Sequence, residues 1–345
     1  QRTGGLHDGE VFLALVQEDL AIVQSARALS PSVQSSARSA RYRSNWVLHN
    51  PGGAGAAEDE RCIFLCTNQR YFLSLLTFLC SFLGQAPQAS ARIFVFLDRD
   101  VPRHWYGSIA MVAARFNRSI EVIPEADFME EEVEHRVDYG FFAGGSNLSR
   151  AAYFRLYAAR YLMRRHRFAR AAYVDTDIIC RGDLTPMFGL DFGDKLIAAC
   201  VEDYSLEVIN AAGRNGLDPL AYFNSGVLLL RFDDPGLGSM IEEAIRVSEK
   251  EPERLVFHDQ CALNIAFRGK VATLPQRFNF YLRPSRERNG FLEDGVLLHF
   301  LDKPKPWDIV FDRSYREEWR VWALVLGSIL PQALYVDIFA AANRD

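Results

Sequence analysis

The chain has 345 residues, and 39 basic against 44 acidic side chains leave a formal charge of 39 − 44 = −5. That balance argues against nucleic acid as the main partner, which requires a basic face. Apolar residues make up 49% and charged residues 24%, the proportions of a globular core, and the nearest thing to a membrane span, "VWALVLGSIL" (321–330), is about half the roughly 20 residues required.

In chain order, residues 8–29 carry apolar side chains at helical spacing and predict one amphipathic helix. The stretches 30–45 ("SPSVQSSARSARYRSN") and 50–60 ("NPGGAGAAEDE") have little core-forming content and read as linker. An organised domain is expected from Arg61. There "CIFLC" (62–66) predicts a strand, "YFLSLLTFLCSFLG" a helix, "RIFVFLD" (92–98) and "SIEVIP" (119–124) further strands. A helix follows over 149–163 with Ser149 as its cap, then "AAYVDTDIIC" (171–180) as one strand. Strands at 195–202, 225–232 and 296–301 and helices at 238–249 and 259–267 complete the alternation. That order predicts an α/β fold with a mostly parallel sheet flanked by helices, which binds ligands at the carboxyl ends of its strands. The last segment, "EEWRVWALVLGSILPQALYVDIF", is apolar and aromatic but lacks a basic face, so it is expected to pack on the domain or a partner. Six cysteines (62, 66, 80, 180, 200 and 261) show neither CxxC pairs nor zinc spacing. They read as small core residues of a reducing compartment, so the protein is expected in the cytoplasm.

Within this frame Asp175 and Asp177 stand at the end of an apolar run, where alternate side chains of an extended chain share a face. Two acids so placed fit a divalent-metal clamp that also meets phosphate, or a solvated strand-end turn. A phosphatase of the haloacid-dehalogenase type uses D-x-D-x-T or D-x-D-x-V with a nucleophilic first Asp, but the fifth position here is Ile179 and the motif lies mid-chain. His299 ends a strand, and Lys303 and Lys305 follow between prolines; these read either as an imidazole suited to Mn²⁺ with ammonium groups suited to phosphate, or as a structural histidine and a solvated Pro/Lys loop. Asp259 and Gln260 open a helix, with Asp259 as its N-cap by type. Asn224 precedes a buried strand, and Gly226 marks a point of close approach. Of Arg150 and Arg155, five residues apart, at most one faces a site. The loop "RPSRERNG" (283–290) reads either as solvated or as meeting an anionic acceptor.

Taken in order, "CIFLCTNQRYFLSLL", "SRAAYFRLYAARYL", "AAYVDTDIIC", "YFNSGVLLL", "FHDQCALN", "LPQRFNF" and "HFLDKPKPW" resemble glycosyltransferase family 8, retaining enzymes of the GT-A fold. The resemblance spans roughly residues 61–310. It implies a GT-A type, Rossmann-like mixed α/β sheet in a catalytic domain at 61–312, with 1–60 as an N-terminal helix and linker without assigned role and 313–345 as a C-terminal helical, apolar extension. It implies that Asp175, Asp177 and His299 ligate Mn²⁺ or Mg²⁺, and that Lys305 binds phosphate. Asp259 and Gln260 match the Asp-Gln near the donor sugar and are the implied catalytic pair. Thr67, Asn68, Arg155, Thr176, Glu202 and Asn224 match donor- or nucleotide-binding positions. Asn68 stands where members commonly carry an acid that reads uracil, Asp302 replaces a glycine three residues after the histidine, and "DQC" replaces Asp-Gln-Asp.

The implied function is transfer of glucose or galactose from a UDP-sugar to a glycan or glycolipid acceptor such as lipopolysaccharide core, with peripheral contact to the inner membrane face. A non-catalytic sugar-nucleotide or glycan-binding protein on the same scaffold is the alternative. The oligomeric state has no signature in the sequence.

Overall fold

The structure, a computed structural model, describes residues 61–85, 91–129, 150–283, 295–308 and 316–343. The helix and linkers expected before Arg61 and the Ser149 cap lie outside the described residues. From Arg61 the elements run β1 (Arg61–Thr67), α1 (Phe72–Gly84), β2 (Arg92–Leu97), α2 (Tyr106–Arg115), β3 (Glu121–Pro124), α3 (Glu125–Met129), α4 (Phe154–Arg165), β4 (Arg170–Val174) and β5 (Ile178–Cys180). They continue with α5 (Thr185–Phe188), β6 (Ile197–Val201), α6 (Leu206–Arg214), β7 (Phe223–Arg231), α7 (Gly236–Lys250), α8 (His258–Ala266), β8 (Val271–Thr273), β9 (Phe280–Leu282), β10 (Leu297–Phe300), α9 (Glu317–Ile329) and α10 (Gln332–Ala342).

Seven strands form the main sheet in the order β3-β2-β1-β4-β7-β6-β8. All run one way except β7, which is antiparallel to both its neighbours. The expected mostly parallel α/β architecture is therefore present. The chain winds outward from β1 through β2 to β3 on one side and then returns to place β4 on the other. The carboxyl ends of β1 and β4 consequently flank a switch point, where an open sheet leaves a crevice.

The strands read as continuous apolar runs because both faces are covered. Ile63 and Leu65 of β1 join a core built with α1, α2, α9 and α10, while Cys62, Phe64 and Cys66 join one built with α4 and α7. Helix α1 is buried all round, from Phe72 through Phe82, because the sheet lies on one side and α9 on the other. The C-terminal apolar segment thus packs on the domain, its two helices parted at Pro331. All six cysteines are free and buried.

One expected element differs. The single strand predicted over 171–180 is two: β4 in the main sheet, and β5 in a second sheet of order β5-β10-β9. Asp175, Thr176 and Asp177 form the bend between them. A straight buried strand would hold both carboxylates side by side on one face, and like charges there repel. The bend lets each acid turn to its own cations. Asp175 N still donates to Gly226 O at 2.7 Å, as the last rung on β7, and Asp177 O accepts from Phe300 N at 3.0 Å, as the first link to β10.

Candidate functional site

The second sheet brings His299, in β10, opposite Ile178 of β5, one residue past Asp177. Its Nε2 lies 3.2 Å from Asp177 Oδ1 and 4.0 Å from Asp175 Oδ2. One ligand atom from each of Asp175, Asp177 and His299 lies within 4.8 Å of the others, and among the described residues this is the one such His/Cys/Asp/Glu cluster. Two donors at 2.0–2.1 Å from a small divalent cation stand at most about 4.2 Å apart. Both imidazole–carboxylate separations meet that bound, and the donor chemistry, two hard carboxylates and an imidazole, suits Mn²⁺ or Mg²⁺. The residues present fit the ion that the sequence implies.

The surrounding charges divide the two acids. Burial opposes ionisation of Asp177, yet Lys305 Nζ at 2.8 Å and His299 hold its carboxyl well below the usual carboxylate range. Burial also works against the Lys305 ammonium, which Asp177 nevertheless keeps above its ordinary range. Lys305 Nζ donates a second hydrogen bond, 2.6 Å, to Phe300 O. Asp175 is pushed up, first by burial and then by Asp177, against the pull of Arg155. Arg155 Nη2 lies 3.1 Å from Asp175 Oδ1, and the Tyr173 hydroxyl donates 2.5 Å to the same oxygen. The Arg155 guanidinium stacks over the Tyr173 ring, 4.4 Å from its centre.

Behind the acids runs a buried hydrogen-bonded chain. His299 Nδ1 meets Asn279 Oδ1 at 2.9 Å; a carbonyl oxygen only accepts, so Nδ1 carries the proton and Nε2 keeps its lone pair for the acids' side. Asn279 Nδ2 donates to Asn224 Oδ1 at 2.9 Å, and Asn224 Nδ2 donates to Glu202 Oε2 at 2.7 Å. Gly226 N also donates to Asn224 Oδ1. At Gly226 a Cβ would stand 2.4 Å from His299 Cε1 and 2.9 Å from Asp175 Oδ2, so only glycine lets β7 pass beneath the cluster.

The other sequence candidates fall around this centre. Thr67 and Asn68 lie buried at the end of β1, and the Asn68 side-chain Oδ1 accepts from Tyr71 N at 3.0 Å. Thr176 Oγ1 accepts from Ser74 Oγ at 3.3 Å. Gln260 takes Ser225 N–H on Oε1 at 3.0 Å and donates from Nε2 to Glu202 at 3.3 Å. Asp259 is not the N-cap: Phe257 holds that place, and Asp259 is the second residue of α8. Its carboxyl is 4% exposed and turns to Arg155, with Oδ2 3.0 Å from Nε. That Nε–H is spent on Ala152 O, so Oδ2 is left without a directed hydrogen bond. Burial pushes Asp259 up to about 6 despite Arg155. Arg155, one of the two helix arginines, reaches the site. Arg283 is not solvated but contacts Glu202, Asp203 and Asp302, while Arg286 and Arg288 lie outside the described residues. Sequence reasoning missed Asn279 and Tyr173 as site components, and left Arg283 open between a solvated loop and contact with an anionic acceptor. The first stands in "LPQRFNF", where an Asn among apolar neighbours was the available signal.

Comparison with known proteins agrees with this geometry. The chain is 28% identical over 171 residues to the glycosyltransferase GlyE of Streptococcus pneumoniae serotype 4, covering 47% of this chain and 39% of that protein. It is also 28% identical over 170 residues to the lipopolysaccharide 1,2-glucosyltransferase of Escherichia coli, covering 46% of this chain and 49% of that protein. The match thus spans half or less of each of these relatives. The crystal structure of galactosyltransferase LgtC, in complex with donor and acceptor sugar analogues, superposes with a TM-score of 0.54 at 19% identity, over 83% of this chain and 97% of that one. That likeness establishes the GT-A fold. The sequence pattern described as glycosyl transferase family 8 runs over residues 62–309, from β1 through the loop after β10, and so takes in the Asp-Asp-His cluster and Lys305 together; the chain belongs to glycosyl transferase family 8.

Proposed function

We propose that the protein is a metal-dependent, retaining hexosyltransferase that moves glucose or galactose from a UDP-sugar to a glycan or glycolipid acceptor such as lipopolysaccharide core. The observation that carries the reading is Asp175, Asp177 and His299 gathered at the switch point with Lys305 beside them. These three side chains would hold a divalent cation, which when bound would supply positive charge beside a diphosphate leaving group. Lys305, fixed by Asp177 and Phe300 O, contributes a second positive charge where negative charge develops. Arg155 sets the orientation of Asp175 and is itself braced by Asp259. Buried as it is, Asp259 acts through Arg155 rather than on the sugar. Gln260, tied to Ser225 and Glu202, presents a fixed amide toward the donor sugar, with Asn224 and Glu202 lining the same wall. An amide is a poor nucleophile, so the leaving diphosphate is assigned the acceptor proton in a front-face displacement. Thr67, Asn68 and Thr176 are assigned to the nucleotide side. Residues 61–312 are assigned as the catalytic unit and 313–345 as a helical cover on it. The family's relatives with lipopolysaccharide in their names support the acceptor class. No helix among the described residues is long and apolar enough to cross a membrane, so contact with a glycolipid is assigned to the protein's surface.

The test is a panel of nucleotide sugars with Mn²⁺, scoring UDP release with and without acceptor. Wild type is expected to release UDP from UDP-glucose or UDP-galactose, and Asp177→Ala or chelator to cut release at least ~100-fold. Binding of a nucleotide sugar without release or transfer would establish the non-catalytic alternative instead.

A further inference from the structure

Three loops leave β6, β9 and β10 close to the candidate donor site, and one side chain joins them. Arg283, just past β9, places Nη1 2.6 Å from Asp302 Oδ1, Nε 3.1 Å from Asp203 Oδ2 and Nη2 3.3 Å from Glu202 Oε1. Glu202 is the partner that matters for the site. Its carboxylate, 9% exposed, receives four donors: Asn224 Nδ2 and Gln260 Nε2 on Oε2, Arg283 Nη2 and the Asp203 N–H on Oε1. Only Arg283 among them carries charge. A carboxylate this far from water is costly unless a cation compensates it, and removing that cation leaves three acids facing one another.

The planar fork explains why an arginine serves here. With Nη1 taken by Asp302 and Nε by Asp203, the guanidinium has one orientation left, and that orientation aims Nη2 at Glu202. Asp302 adopts φ +63°, in the left-handed region that Asp tolerates better than most residues, and its carboxylate turns back to Arg283. Lys305, three residues on, is held separately by Asp177 and Phe300 O. The arginine therefore governs the sugar side of the pocket rather than the phosphate side.

We infer that Arg283 is a positioning residue for donor-sugar recognition: oriented by Asp302, it holds the Glu202 carboxylate against Asn224 and Gln260. The inference rests on the transferase reading for the identity of the sugar wall. The test uses the full chain with Mn²⁺ and compares wild type, Arg283→Gln, Arg283→Lys, Asp302→Asn and the Arg283→Gln/Asp302→Asn double variant. Calorimetric Kd values are taken for UDP-glucose, UDP-galactose and UDP alone, with KM and kcat for UDP release and a melting curve for each. Arg283→Gln is expected to weaken the sugar nucleotide about tenfold and UDP less than about twofold. Arg283→Lys, which keeps charge without the fork, should fall between. Asp302→Asn should act in the same direction by about threefold, and the double variant should be no worse than Arg283→Gln, because Asp302 acts through Arg283. Equal losses for UDP and UDP-sugar, additive effects, or a lowered melting temperature with unchanged KM and Kd would each overturn the inference. Failure of the transferase reading has a different signature. Wild type would then release no UDP while the Kd comparison still decides the role of Arg283, and wild type binding no sugar nucleotide at all would remove both.

Discussion

At the scale of single residues, the cluster's behaviour is set by what stands behind its ligands. Asn279 is fully buried and gives His299 Nδ1 its acceptor, so the imidazole presents Nε2 without having to select a tautomer on binding. Replacing it by Ala should weaken Mn²⁺ about 10- to 100-fold by calorimetry, with Asp175 and Asp177 intact; unchanged affinity would remove Asn279 from the site. Asp259 answers to pH. Its folded-state pKa is raised to about 6 from 3.8, so its contribution to stability is present below about pH 4 and is lost as pH rises through about 6. Asp259→Asn carries no such titration. Measured by urea unfolding in chelator, its stability relative to wild type should improve by on the order of 2 kcal/mol between pH 4 and pH 7. A difference that is flat with pH would mean that Arg155 compensates the carboxylate fully.

At the scale of elements, the strands that were legible are those whose apolar runs are long enough to be covered on both faces, such as β1, β2 and β7. The segment 171–180 was misread because local pattern does not register that Val174 and Ile178 belong to different sheets. The same fact hid the supporting residues. Asn279 reaches His299 through pairing of β9 with β10, and Asn224 from the main sheet, contacts between sequence positions tens of residues apart that no spacing rule encodes. The candidate ligands stood out because acids and an imidazole at strand ends are chemically conspicuous, while their joint reading as a metal set came from the family resemblance. The C-terminal segment read as apolar, but its place on α1 and α2 depended on tertiary packing. Leu326 of α9 is fully buried against that core. Leu326→Ala should cost about 2–5 kcal/mol in urea unfolding while leaving the KM for the sugar nucleotide within about twofold. A large change in KM with little loss of stability would place α9 in the site instead of beneath it.

At the scale of the whole molecule, the candidate metal site sits on the seam between two sheets. Asp175 directly follows β4 and Gly226 lies in β7 of the main sheet, whereas Asp177 directly precedes β5 and His299 lies in β10 of the second. Each sheet alone offers an incomplete ligand set, so a cation bound there holds the two together and favours the folded over the unfolded chain. The linkage is quantitative: an ion at 100 times its Kd adds about 2.7 kcal/mol to stability if the unfolded chain does not bind it. In a protein of this size that corresponds to a rise in melting temperature of a few degrees, reversed by chelator. The rise should vanish in both Asp177→Ala and His299→Ala, one ligand of which follows β4 directly through the bend and the other of which arrives from more than a hundred residues downstream. It should persist in Leu326→Ala, whose lost packing lies elsewhere and should add independently. A Mn²⁺-dependent rise that survives removal of either side chain would place the ion away from the seam.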